Sequence, residues 1–349
     1  MAKCDHVAWL ELIEGDAGPH ISYGWRLERL IKELPSAAEQ YPQLTFFVGR
    51  RCKNEALRQF CNGKFRPRSR NRLNTINLHL APNSVNSHHP QFFADWDSTR
   101  HDILPAVNSP KTCHREEVIP VNWPLSSPWE PCDLILMRIL FQFCDVICIF
   151  ADDIGGVEKT SLLLNTWATI GLSSGLPRHI RPRLIVVMGG ANRPSVTQEV
   201  LEEDDLIFNI CHPDNKSLFF SSFASITISR LPRNEAVTKN RYRQLSDDVA
   251  HELHEARVAR DTSRLSFSAV HLNALFEDAL RELAIDMLGA FDPLVSSRKG
   301  NPLNGSLVSH LLGFLKQGTR LHIPYEGLTS YVASAILMDA YPPLMHGNF

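Results

Sequence analysis

Several short stretches carry residue types suited to holding a phosphate or attacking an acyl group. The first follows the apolar run 44–48 and reads Gly49, Arg50, Arg51, Cys52, Lys53, Asn54, Glu55, Ala56. A phosphate loop of the form GxxxxGK[ST] wraps an anion in successive backbone N–H groups, neutralises it with the lysine and holds magnesium through the hydroxyl. Laid on that form, the stretch keeps only Gly49. Glu55 stands where the lysine should meet phosphate, Ala56 has no oxygen for a metal, and Lys53 lies two positions early.

A second candidate follows the run 146–150: Asp153, Ile154, Gly155, Gly156, Val157, Glu158, Lys159, Thr160. It is close to the GGxGKT form, with Lys159 and Thr160 in the expected order ahead of an apolar helix start. Asp153 and Glu158 oppose phosphate by charge, and the Cβ of Glu158 sits where a glycine would open the cradle. In a P-loop GTPase a third strand ends in DxxG and a fifth is followed by NKxD. Here Asp95 keeps the place of the magnesium partner, but Ser98 replaces the glycine, and run 184–188 leads into Gly189, Gly190, Ala191 and Asn192 without a carboxylate for the base. Phosphate, metal and base positions are thus each degraded.

Gly171-Leu172-Ser173-Ser174-Gly175 spells the nucleophile-elbow pattern. That pattern needs a strand before it and a helix after it. Ser173 instead follows a helix-like stretch and precedes Leu176-Pro177. His251 and His254 are three apart on a helical face, whereas HExxH needs four; they read as a solvated face, as do the loop pairs Cys113-His114 and His88-His89. No metal site is expected.

These residues must be placed by their neighbours. Short apolar runs at 44–48, 75–80, 92–95, 146–150, 184–188 and 225–229 alternate with helix-length segments, which predicts a mainly parallel sheet with helices on both faces. Residues 1–40 hold an apolar segment at 7–13 and a helical pattern near 25–34 that should pack on this core. After Pro232 the texture turns helical, with candidates at 249–260, 270–288, 307–315 and 328–340. The expected organisation is an N-terminal segment (1–40), an α/β domain of degenerate P-loop-GTPase type (41–235) and a smaller helical domain (236–349).

The 349 residues are 44% hydrophobic and 21% charged, ordinary for a globular protein of about two domains. Residues 50–72 carry nine Lys/Arg against one Glu, leaving −10 for the rest of a chain whose total is −2. Arg66, Arg68, Arg70 and Arg72 in this stretch are candidates for weak contact with an anionic lipid surface; the lack of a nucleic-acid module argues against sequence-specific nucleic-acid recognition. Eight cysteines without a CxxC pair fit a reduced, cytoplasmic protein. The longest apolar stretch, 134–150, contains Arg138, Gln142 and Asp145, which argues against a membrane span.

Longer strings add a resemblance. Phe150-Ala151-Asp152-Asp153-Ile154-Gly155-Gly156, Leu176-Pro177-Arg178-His179 with Arg181-Pro182-Arg183-Leu184, Phe267-Ser268-Ala269-Val270-His271-Leu272-Asn273-Ala274-Leu275-Phe276, and Leu337 through His346 resemble the region preceding the lipase domain in large fungal patatin-like phospholipase proteins. The resemblance covers about residues 44–346 and implies a GTPase-like module ahead of a Ser-Asp acyl hydrolase. The glycine-rich oxyanion segment and the Asp-Gly partner are absent from this sequence, so it implies architecture and a regulatory role without lipase activity. The expectation is a regulatory or interaction module with no catalytic residue and no cofactor, keeping Gly49, Lys53, Asp95, Lys159 and Thr160 as nucleotide-site remnants and engaging a protein partner or a linked lipase domain. Two alternatives stand beside it: an active GTP or ATP switch, and a serine hydrolase acting through Ser173.

Overall fold

The computed structural model describes residues 7–15, 18–62, 65, 75–97, 104–105, 116–122, 131–170, 176–189, 207, 210, 216–232, 241–263, 265–286, 291 and 305–340. The chain divides into two compact units, residues 1–290 and 291–349.

The first unit opens with β1 (Ala8–Gly15), β2 (Gly18–Gly24) and α1 (Arg26–Ile31). β3 (Gln43–Val48) then runs almost directly into α2 (Arg51–Phe60), followed by β4 (Thr75–Leu80), β5 (Gln91–Trp96), β6 (Leu104–Pro105) and β7 (Glu116–Pro120). α3 (Pro131–Ile135) continues through a π-helical turn, Leu136–Leu140, into α4 (Phe141–Phe143). After them come β8 (Val146–Phe150), α5 (Ala151–Ile154), α6 (Val157–Ile170), β9 (Arg183–Gly189), α7 (Lys216–Ser222), β10 (Ile226–Leu231), α8 (Arg243–Thr262) and α9 (Ala269–Ile285).

All the described strands belong to one mixed sheet in the order β10-β9-β8-β3-β5-β4-β1-β2-β7, with β6 beside β1. The half from β10 to β5 is parallel, and the half from β4 to β7 is antiparallel. Every residue of β3 and β8 is buried. Central parallel strands are covered on both faces, which is why they read as unbroken apolar runs. β4 joins β5 through residues 81–90, which contain no helix, so the pair is antiparallel. The N-terminal 40 residues insert a hairpin between β4 and the edge strand β7, a departure from the mainly parallel expectation. Its sequence, Trp9-Leu10-Glu11-Leu12-Ile13, alternates too loosely to announce a strand.

On one face α2 and α8 cover the parallel half through a shared cluster that includes Phe47, Leu57, Phe150, Val187, Leu245, Val249 and Leu253. α8 is also held by a polar clasp. Glu252 accepts from Arg183 Nη1 (2.9 Å), Ser225 Oγ (2.8 Å) and Thr227 Oγ1 (2.8 Å). Burial pushes its pKa up, but these donors and the Arg183 charge outweigh burial and hold it below the usual range. α9 packs elsewhere on the unit, where Phe276 stacks on Trp9 with ring centres 4.5 Å apart and meets Phe143 edge-on at 5.3 Å. Two of the four helices that sequence texture assigns to a helical domain, α8 and α9, therefore fall within the first unit.

The second unit contributes α10 (Leu307–Arg320) and α11 (Tyr325–Ala340). They pack closely at Gly318, where an added Cβ would overlap the Leu328 side chain. Among the described residues no helix is long and apolar enough to cross a membrane.

Candidate functional site

Because β3, β5, β8 and β9 run parallel, their carboxyl ends share one sheet edge. The chain builds outward from β3 in both directions, to β5 on one side and β8 on the other, so the sheet order reverses between β3 and β8. In open α/β sheets that point forms the ligand crevice. The candidate turns gather there: Gly49 and Arg50 after β3, Asp97 after β5, α5 after β8 and Gly189 at the end of β9.

The first candidate phosphate loop is no loop. Only Gly49 and Arg50 separate β3 from α2, so Lys53, Asn54, Glu55 and Ala56 are already helical. α2 begins with Arg50, Arg51 and Lys53, has no acid in its first turn, and receives no cap from its own N-cap side chain. Cations at this end oppose the helix dipole, and the first N–H groups need acceptors. The carboxylate of Asp153, from the second candidate loop, supplies them. Its Oδ2 accepts from the N–H groups of Arg50 (2.7 Å) and Lys53 (3.0 Å), and its Oδ1 accepts from that of Cys52 (3.0 Å). Gly49 makes room for it. The residue has φ +148°, and a Cβ there would lie 2.9 Å from both Asp153 Oδ2 and Phe150 Cβ. The seat that would cradle a phosphate thus holds an anion belonging to the chain itself.

Lys53 and Asp95 meet each other. The Lys53 Nζ lies 2.7 Å from Asp95 Oδ1, with the side chains 1% and 4% exposed. Asp95 Oδ2 is 2.8 Å from His79 Nε2, and Asn77 Nδ2 donates to Oδ1 at 3.5 Å. Burial raises the Asp95 pKa, but Lys53 and His79 overcome this and hold the carboxyl well below the usual range. Phe65 closes over the cluster with its ring edge-on to His79, centres 5.0 Å apart. Glu55 points away from the seat. It pairs with Arg51 (3.5 Å) and Arg241 (3.4 Å) and accepts from the Tyr242 hydroxyl (3.0 Å).

In the second loop, Lys159 is exposed and lies against Gly155, while Thr160 is buried and its hydroxyl donates to Gly156 O at 2.8 Å. That hydroxyl is spent on its own helix. Asp152, next to the capping aspartate, accepts from the N–H of Gly189 at 2.8 Å. The short α5 thereby ties the ends of β3 and β9 together through two adjacent carboxylates. Cys52, half-buried beside Asp153, has its thiol pKa pushed up to about 11 by burial and by that carboxylate, the opposite of an activated nucleophile.

Of the sequence candidates, the fold brings Gly49, Lys53 and Asp95 together around α2 and leaves Lys159 and Thr160 on α6. Ser98, Ser173 with its flanking glycines, Gly190 through Asn192, Cys113-His114, and Arg66, Arg68, Arg70 and Arg72 lie outside the described residues. His251 and His254 are exposed on α8. Among the described residues no three His, Cys, Asp or Glu side chains group as metal ligands. Sequence reasoning missed the capping role of Asp153 and the parts played by His79 and Asn77. The signal for the first was a helix starting Arg-Arg-Cys-Lys, which demands an anion from elsewhere; for the second, the i, i+2 spacing of Asn77 and His79 on one face of a strand.

At the opposite, amino end of the strands a cleft of about 40 Å³ is lined by residues including Tyr41, Gln43, His89, Asp145, Arg257 and Arg260. It has room for a few waters, not for a substrate of the size that ligand pockets hold.

No protein-family model and no curated protein matches the chain. Among solved structures it is similar to the siderophore hydrolase EstA from Aspergillus nidulans, at 7% identity over 74% of this chain and 98% of that one, with a TM-score of 0.27.

Proposed function

We propose that the chain is a non-catalytic regulatory or interaction module built on a P-loop-GTPase-like sheet whose nucleotide edge is closed from within. The observation that carries this reading is the Asp153 carboxylate on the N–H groups of Arg50, Cys52 and Lys53. A phosphate at that seat would have to displace a tethered anion and would find Lys53 already paired with Asp95. The strands chosen from sequence for phosphate, metal and base contacts end on one sheet edge, as a nucleotide switch requires, and this supports descent from such a switch. The resemblance to the region preceding patatin-like lipase domains points to a lipid acyl hydrolase, linked or separate, as the regulated partner.

Thermal melting with GTP or ATP and magnesium tests the reading. A ligand at a hundred times its Kd would stabilise the fold by about 2.7 kcal/mol, a shift no melt would miss. The expected result is no shift with either nucleotide. A reproducible upward shift that disappears in Lys53→Ala or Lys159→Ala would establish an active switch instead.

A further inference from the structure

The second unit presents its apolar residues at the tip of a hairpin, where connections are normally polar. α10 ends in a Schellman arrangement: the N–H of Ile323 donates to Gly318 O (3.0 Å), that of His322 donates to Thr319 O (3.1 Å), and His322 has φ +55°. In that arrangement the residue at the Ile323 position usually rests on the side chain at the Gly318 position. Glycine offers none, so Ile323 stays 44% exposed, between Leu321 at 72% and Tyr325 at 71%. Val308 and Leu312, nearer the start of α10, are exposed as well.

The charge around this tip is net positive, Lys316 and Arg320 against the exposed Glu326 beside Tyr325. From Gly305 to Tyr325 the sequence holds Lys316 and Arg320 and no carboxylate; the first acid is Glu326. Both cations are exposed. A second copy docked tip to tip would set these cations against their equivalents, whereas a layer of anionic headgroups complements them while taking up the apolar side chains. An amphipathic helix with a wide apolar face and basic residues on the other lies in the membrane interface. With no described helix able to span a bilayer, contact at this surface is peripheral.

We propose that the α10–α11 tip docks on a membrane surface carrying anionic lipid, with Leu321, Ile323 and Tyr325 entering the headgroup boundary and Lys316 and Arg320 meeting the headgroup charge. The proposal rests on the second unit alone and stands or falls separately from the reading of the first.

Co-sedimentation of the full chain with phosphatidylcholine vesicles, and with vesicles containing about one third phosphatidylserine, tests it; each cation is expected to contribute about fivefold in partitioning at a charged surface. The chain should pellet with the mixed vesicles at low salt and be released as salt rises. Leu321→Glu with Ile323→Glu should abolish binding, and Lys316→Gln with Arg320→Gln should weaken it on the order of twentyfold. All four side chains are exposed, so unchanged circular dichroism and melting temperature are expected and exclude misfolding as the cause. Three results would overturn the proposal: no binding to either vesicle, undiminished binding by the double Glu variant, or concentration-dependent dimerisation that the same variant removes without any vesicle binding.

Discussion

At the carboxyl end of β5, Asp95 is buried among Lys53, His79 and Asn77, and its carboxyl is held below the usual range. Just before β8, at the other end of the parallel strands, Asp145 is buried as deeply. Its Oδ1 accepts from Arg260 Nε at 2.7 Å and its Oδ2 from Leu44 N–H at 2.8 Å. Burial nevertheless dominates there and pushes the Asp145 pKa up against the pull of Arg260. Two aspartates of one sheet, both removed from water, are thus driven in opposite directions. The difference lies in how the partners reach the carboxylate: Lys53 and His79 both hydrogen-bond Asp95 and together outweigh burial, whereas at Asp145 the bonds from Arg260 and Leu44 N–H and the charge of His89 leave burial dominant. It also shows where the fold invests. Both ends hold buried ion pairs, but at the edge where α/β sheets bind ligands the helix-start N–H groups are also taken by an internal carboxylate, while the opposite edge keeps a water-sized cleft.

The largest expected effect comes from breaking the pair at the carboxyl edge. Lys53→Met leaves Asp95 with a buried, undercompensated charge, and Asp95→Asn does the same to Lys53; each should cost about 3–5 kcal/mol by urea denaturation. The double variant should lose markedly less than the sum, because neither charge is then stranded. If the two losses simply add, Lys53 and Asp95 are not the coupled unit that the 2.7 Å contact describes.

Next in size is the cap in trans. Asp153→Ala orphans three N–H groups at the start of α2 and should cost about 1–2 kcal/mol, whereas Asp153→Asn keeps an acceptor and should cost less. Asp152→Ala loses one bond in an exposed setting, to Gly189, and should cost about 0.5 kcal/mol or less. An Asp153→Ala chain as stable as the wild type would mean that water or a bound anion serves the α2 terminus equally well, and the reading of a seat filled from within would fail.

The legible parts of this architecture were those with one dominant cause. Runs 75–80 and 146–150 became β4 and β8 to the residue: β8 is buried throughout and reads as an unbroken apolar run, and β4 carries apolar residues at alternate positions, Ile76, Leu78 and Leu80. α9, read as 270–288, starts one residue earlier at a Ser268 cap. The hairpin β1–β2 and the edge strand β7 were missed, since the hairpin sequence alternates only weakly and β7, Glu116–Pro120, carries two glutamates and a proline that suit an edge. At the site, sequence located Gly49, Lys53 and Asp95 but cast them around an absent ligand. That Asp153, about a hundred residues downstream, occupies the seat is a long-range fact that no local window contains.

The smallest effect is also the sharpest test of the contrast between the two ends, because its sign differs for the two aspartates. Asp95 has a folded pKa below its unfolded one, so its contribution is complete above the unfolded value of about 3.9 and is lost as pH falls from there towards the folded value. Asp145 has a folded pKa above its unfolded one. Its charge therefore penalises the fold at neutral pH, and the penalty fades as pH falls through the raised folded value towards the unfolded one. Replacing each by asparagine removes the titration, so stability measured against pH for wild type and variant isolates it. Above about pH 4 the gap between wild type and Asp145→Asn should move in favour of the wild type on acidification, while the gap to Asp95→Asn stays flat. Below that, the Asp95→Asn gap should close as the wild type loses its advantage. Parallel slopes for the two variants would show that both carboxylates sit in equivalent surroundings, and the distinction drawn between the sealed edge and the open one would have no electrostatic basis.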